Sequence, residues 1–360
     1  MNDQMTQILL DWYAKNKRDL PWRRTADPYK IWLSEVIMQQ TRINQGLAYY
    51  LRFVDKYPDI FQLASAKHNE VYKLWQGLGY YNRADNLMKT AQRIAKEFGG
   101  KFPNDYHELK KLPGIGDYTA AAIASLAFKQ SYSVVDGNVF RVLSRIYGIQ
   151  TSINTSQGKK EFTQLATSLL ANHPPDLFNQ AMMEFGALAC TPKAPHCADC
   201  PLQNHCYAFV NQAQANFPVK KAKTTVGKRF IYYFVIQTTR ENSKAYYLKK
   251  RQDRDIWKNL YDFPSVERKE ALVDPFDAVP LMSQWGWLEN NNYKIGPPSH
   301  SFVHLLTHLR ITAYFIPVFL GQDTKGISNN SLLLIPQKIL NKYPVSQLIA
   351  LYLKEQGITH

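Results

Sequence analysis

The spacing of apolar residues divides the chain into two regimes. Up to about residue 217, large apolar side chains recur three and four positions apart, as on amphipathic helices. Beyond residue 228 they alternate, as on half-buried strands. Residues 5–16 (MTQILLDWYAKN) predict a short amphipathic helix. Asp27-Pro28 predicts a helix start, an N-cap acid followed by proline at the first helical position. The segment beyond it, YKIWLSEVIMQQTRINQGLAYYLRFVDKYP, reads as one long helix. A basic amphipathic pattern covers 84–99, an alanine-rich helical pattern follows Gly116, and 151–186 reads as helical. Around Pro218–Lys228 (PVKKAKTTVGK) the composition shifts to lysine and threonine, which predicts a linker. Arg229–Gln237, Ala245–Arg251 and Leu309–Leu320 then read as strands, with helical stretches near Ile335–Lys342 and Ser346–Gln356. The expectation is a multi-domain chain: an all-α domain over 1–217, a basic linker over 218–228 and an α+β domain over 229–360.

Composition narrows the partners. With 360 residues there is chain enough for two full cores. Lysine plus arginine exceed aspartate plus glutamate by 44 − 29 = 15, which points to a polyanionic partner, nucleic acid or an anionic membrane surface. No apolar run approaches the ~18–20 residues that span a bilayer, and the start of the chain (MNDQMTQ) carries no signal-peptide pattern. The expectation is a soluble, cytoplasmic protein with no membrane partner. All four cysteines fall between Cys190 and Cys206, spaced Cys190-x6-Cys197-x2-Cys200-x5-Cys206, and read as one metal site holding either zinc or an iron–sulfur cluster.

Four further stretches carry candidate chemistry. Gly114-Ile115-Gly116 before a helix can turn tightly and offer free N–H groups to a phosphate without reading bases, or it is only a tight turn. In Val134-Val135-Asp136-Gly137-Asn138, Asp136 either caps the helix starting near Asn138 or offers a carboxylate to a bound ligand. Glu35 is a lone acid among Ile31, Trp32, Leu33, Val36, Ile37 and Met38. It sits on a wet helix face, or it lines an apolar pocket where desolvation raises its pKa as a general acid requires. Residues 75–83 (WQGLGYYNR) read as a loop presenting tyrosines, suited to wedging between bases, or as a packed helix corner.

The glycine turn and Asp136 together resemble the helix-hairpin-helix plus Gly/Pro…Asp signature of the endonuclease III superfamily of DNA glycosylases. SEVIMQQT around Glu35, LPWR at Leu20–Arg23 and GLGYY(x)R around Tyr80 are similar to its adenine-specific (MutY) branch, and the resemblance runs over essentially the whole chain. It implies that Glu35 is the catalytic acid and Asp136 the carboxylate that stabilises the sugar cation, with Tyr118 and Asn138 beside them. Arg18, Trp22, Arg23 and Gln180 become base-pocket candidates. Met38, Gln40 and Thr41 correspond to residues entering the duplex, and Tyr80 to the wedge that probes the opposite base. Gly114 and Gly116 become phosphate contacts. The 6-2-5 spacing matches the 4Fe-4S loop of the family, with Cys190, Cys197, Cys200 and Cys206 as ligands.

The resemblance also implies a Nudix-like C-terminal domain that binds without hydrolysing, because Glu267 and Glu270 do not make the acidic cluster a Nudix hydrolase needs. Leu306-Thr307-His308 is the best match to the family's 8-oxoguanine-recognising turn, so Thr307 and His308 are its candidates, with Phe302-Val303-His304 as the other register. Bifunctional relatives carry a lysine where Tyr118 stands, and a phenol forms no imine. The expected activity is therefore removal of adenine opposite 8-oxoguanine or guanine by a nucleoid-associated monomer bound to double-stranded DNA, without efficient strand cleavage.

Overall fold

The computed structural model describes residues 2–221, 226–240, 243–252, 256–285, 292–306, 308–321 and 331–358. The chain forms two compact units, Met1–Ser65 with Asn86–Ala222, and Ala66–Asp85 with Lys223–His360. Among the described residues no helix is long and apolar enough to cross a membrane.

The helices run α1 (Asn2–Asn16), α2 (Pro28–Met38), α3 (Ile43–Lys56), α4 (Ile60–Ala64), α5 (His68–Trp75), α6 (Asn82–Glu97), α7 (Tyr106–Lys110), α8 (Asp117–Leu126), α9 (Gly137–Tyr147), α10 (Ser156–Leu170), α11 (Pro175–Leu188) and α12 (Tyr207–Val210). Met5, Leu9 and Tyr13 of α1 pack on Val139, Val142 and Leu143 of α9 and on Phe178, Met182 and Phe185 of α11. Burying such side chains contributes ~1.5–3 kcal/mol each, enough to fix the face each helix turns inward. Ala120, Ala121, Ala122 and Ala124 of α8 are all buried, and their short side chains let α8 lie close to α2.

The long helix expected from Tyr29 to Pro58 is broken. Gln40 has φ +55°, a left-handed value that stops α2 after Met38, and α3 restarts at Ile43. A Cβ on Gly46 would lie 2.4 Å from Met38 Sδ, so α3 packs against the end of α2 closely enough that any larger residue there would displace the Met38 thioether.

In the second unit the strands are β1 (Gly227–Arg240), β2 (Ser243–Lys250), β3 (Tyr261–Asp262), β4 (Ser265–Arg268), β5 (Tyr293–Ile295), β6 (Phe302–Leu305), β7 (Leu309–Leu320) and β8 (Leu332–Pro336), followed by α13 (Gln347–Glu355). They make one sheet in the order β3-β2-β1-β7-β5, with β4 on β1, β6 on β7 and β8 on β2. Only β1 and β7 run parallel among these pairs, and their long register carries the core residues Tyr232, Phe234, Ile316 and Val318. The helical stretch expected from Ile335 starts late: Leu332–Pro336 pairs with β2, and only Gln337–Lys342 coils, as a 3-10 turn. Ala66–Asp85 joins this unit through Tyr81 Oη donating to the Val345 carbonyl (3.5 Å) and the Asn259 amide donating to Asp85 (3.4 Å).

Candidate active site

The first unit holds a cavity of about 240 Å³ on which α2, α8, α9, α11 and the Pro21–Arg23 turn converge. Glu35 of α2 lines it, so the acid that stands alone in the sequence faces the cavity rather than open solvent. Burial pushes its carboxyl up from 4.5 to about 7. The Tyr118 phenol within hydrogen-bonding reach and the Arg23 charge pull it back, and the Asp136 charge pushes it further. Near neutral pH it holds a proton it can donate.

Asp136 satisfies both readings of its position. Its Oδ1 accepts the N–H groups of Asn138 and Val139 (2.8 Å each), capping α9, while Oδ2 accepts the Asn138 amide at 2.7 Å and the side chain still lines the cavity. Burial raises its pKa, opposed by those same hydrogen bonds. Asn138 is oriented in turn by Arg141, whose guanidinium donates to its Oδ1 at 2.8 Å. Tyr118, from the first turn of α8, lines the same wall, its phenol 3.6 Å from Met183 Sδ; burial pushes its pKa well above 10. The two acids thus arrive from different helices with different environments, one kept protonated and one taking three hydrogen bonds.

The remaining candidates divide. Arg18, Trp22, Arg23, Met38, Thr41 and Gln180 all line the cavity. Gln180 accepts the Tyr13 hydroxyl at 3.0 Å, and Trp22 stands edge-on to Tyr50 at 5.0 Å. Gln40 shares the α2–α3 break but points to solvent. Gly114 and Gly116 form an exposed turn before α8, and the φ of +75° at Gly114 requires glycine. Tyr80 belongs to the second unit, 41% exposed, with φ +49°. His308 is exposed at the start of β7, and Thr307 lies outside the described residues.

Among the lining residues that carried no role in the sequence reading, one acid stands out. Glu184 of α11, with a fully buried side chain, receives both Arg18 and Arg23. Its signal was present: a lone acid flanked by Met182, Met183 and Phe185, the same pattern that marks Glu35.

The four cysteines form no disulfide with one another and line one small cavity together with Arg145 and Ile146 of α9. Arg145 donates to Cys190 Sγ at 3.3 Å, and backbone N–H groups of Leu202, Ala208 and Phe209 are aimed at Cys200 and Cys206. Donors of this kind stabilise thiolates, but burial, helped by the neighbouring cysteines, outweighs them and pushes the Cys200 thiol up to about 11. Among the described residues no three His, Cys, Asp or Glu side chains form a group that could hold a metal ion. All four cysteines nonetheless line this one cavity, and four thiolates are the donor set of a polynuclear cluster.

Comparison with known proteins shows the family. Residues 33–168 match the HhH-GPD superfamily of base excision DNA repair proteins. The chain is 34% identical over 355 residues to the adenine DNA glycosylase of Buchnera aphidicola from Acyrthosiphon pisum, covering 96% of each chain. It is 44% identical over 209 residues to the human adenine DNA glycosylase, covering 56% of this chain and 38% of that one. Among solved structures, a thermostable thymine-DNA glycosylase superposes with a TM-score of 0.54 at 29% identity, over 58% of this chain and 97% of that one. An endonuclease III–DNA complex gives 0.50 at 23%, a likeness of fold.

Proposed function

The chain belongs to the adenine DNA glycosylase family, a DNA glycosylase of base excision repair, and from that premise we propose that it removes adenine paired with 8-oxoguanine or guanine without cutting the strand itself. The observation that carries the chemistry is the pairing of a Glu35 carboxyl near pKa 7 with Asp136 in one cavity. In this mechanism the Gly114–Gly116 turn and the start of α8 grip the phosphate backbone, and adenine leaves the stack for the cavity. Glu35 gives its proton to N7, so that the base departs neutral. Asp136 stabilises the positive charge that develops on the sugar, and Asn138 holds that carboxylate and positions the attacking water. Tyr118 offers no amine, so no imine forms and the product is an intact strand with a base-free site. Met38, Gln40 and Thr41 enter the duplex beside the vacated position, and Tyr80 wedges at the opposite base.

The α+β domain over 229–360 reads that opposite base, with Thr307 and His308 as its contacts. Glu267 and Glu270 do not make an acidic cluster, and Glu267 is held by Arg229 and Arg251, which supports binding over hydrolysis. Cys190, Cys197, Cys200 and Cys206 hold a 4Fe-4S cluster, whose iron–thiolate bonds tie the loop after α11 into one piece. The protein acts as a monomer on duplex DNA.

The test is single-turnover reaction on duplexes that differ at one pair, adenine opposite 8-oxoguanine, guanine or thymine, with products resolved before and after alkali. Adenine release opposite 8-oxoguanine and guanine, with strand breaks only after alkali, is the expected result. Direct strand breaks, or release opposite thymine at an equal rate, would overturn it.

A further inference from the structure

Glu184 has been given no part in the reaction, yet it is the most heavily bonded acid of the cavity. Its Oε1 accepts the Arg18 backbone N–H and Nε (2.8 Å each) and Arg23 Nη1 (2.9 Å), and its Oε2 accepts Arg18 Nη2 (2.5 Å) and Arg23 Nη2 (2.7 Å). Two guanidinium forks on one carboxylate form a strong, directional joint. Arg23 Nη1 also donates to the Arg18 carbonyl at 3.1 Å, which closes the loop on itself. The Pro21–Arg23 turn has no side-chain cap of its own at Leu20, so this joint is what ties the turn to α11. Trp22 stands on that turn, and Trp22, Arg18 and Arg23 all line the cavity.

We propose that Glu184 is the positioning residue of the base pocket: it locks Trp22 and Arg23 against α11 and neutralises one of the two arginine charges that line the cavity with Glu35. The inference rests on the assignment of this cavity to the target base.

The electrostatics make it testable. Glu35 faces Tyr118 from α8, Asp136 from the start of α9 and Arg23 from the turn, and Arg18, Lys129, Asp176 and Glu184 line the same cavity. Lys129 and Asp176 pair with each other. Arg18, Arg23 and Glu184 together carry one net positive charge; Glu184→Gln raises it to two, and Arg18→Gln lowers it to zero. Arg23 already holds the Glu35 carboxyl down, so freeing it strengthens that pull.

The experiment follows single-turnover adenine release from an adenine:8-oxoguanine duplex between pH 6 and 9, with thermal unfolding alongside. Glu184→Gln should move the alkaline limb down by roughly one pH unit, the effect of a nearby charge, and so cost about tenfold in rate at pH 8. Arg18→Gln, which keeps the Arg23–Glu184 fork, should move the limb upward and decides the matter if Glu184→Gln does not fold. A uniform loss of rate with an unmoved profile in Glu184→Gln, or an Arg18→Gln limb that stays put or falls, overturns the proposal. An unsubstituted protein that releases no adenine overturns the pocket assignment instead, and is seen before any variant is made.

Discussion

Replacing Glu35 by glutamine should abolish base release and, above neutral pH, make the protein more stable. The magnitude follows from the displacement of its carboxyl from 4.5 to about 7, due first to burial. At about 1.36 kcal/mol per pH unit that gap amounts to about 3 kcal/mol. The folded state holds the proton more tightly than the unfolded chain does. Below pH 4.5 both are protonated and the carboxyl is no burden. Between 4.5 and 7 the unfolded chain ionises first and the folded state loses stability, and above 7 the loss is constant at up to about 3 kcal/mol. Glutamine keeps the shape and removes the titration. The stability of Glu35→Gln relative to the unsubstituted protein should therefore grow by up to about 3 kcal/mol from pH 4.5 to pH 8. Urea unfolding followed by tryptophan fluorescence at several pH values reads this directly, with single-turnover kinetics on the same samples. The kinetic loss should be at least ~10²–10⁴-fold, the usual worth of a general acid, and the unsubstituted enzyme should lose rate as pH rises through about 7. A stability difference that stays constant across the range would refute the reasoning, because the cavity would then not desolvate the carboxyl.

Substitutions at three further positions separate structure from chemistry. Asp136→Asn can still cap α9, so its thermal unfolding should shift little while base release collapses; Asp136→Ala loses the cap as well and should cost about 1 kcal/mol more. Gly114→Ala combines a left-handed backbone with a Cβ 2.7 Å from Asn86 Cβ, and should weaken duplex binding in an anisotropy titration while leaving the Glu35 pH limb in place. Cys200→Ser should lose iron and visible absorbance together, read by metal analysis, and should unfold at lower temperature because the loop it anchors packs on α9 and α11.

Periodicity is local, and so the long helices and the three longest strands, β1, β2 and β7, were legible in the sequence, while short elements such as α4, α7, β3 and β5 were not. The exceptions have local causes of another kind. Gln40 ends α2 in a left-handed conformation that glycine or asparagine would have advertised and glutamine does not. Ile335 extends a strand because β2 offers it a partner, which no window around Ile335 contains. Asp136 was legible in both its roles, since a cap needs only the next turn of chain.

The cavity itself shows why the rest could not be read. Glu35 and Glu184 carry the same signal, one acid inside an apolar helical run, and the structure gives them opposite electrostatics. Glu35 meets a phenol, another carboxylate and a more distant guanidinium, and burial leaves it near 7. Burial acts on Glu184 too, but Arg18 and Arg23 outweigh it and hold the carboxyl at about 2. The first is equipped to give a proton and the second never has one to give. That difference comes from a turn 166 residues away in sequence. A lone acid among apolar residues thus reports burial but not protonation state, and it takes the partner from the far segment to tell an acid catalyst from a counterion.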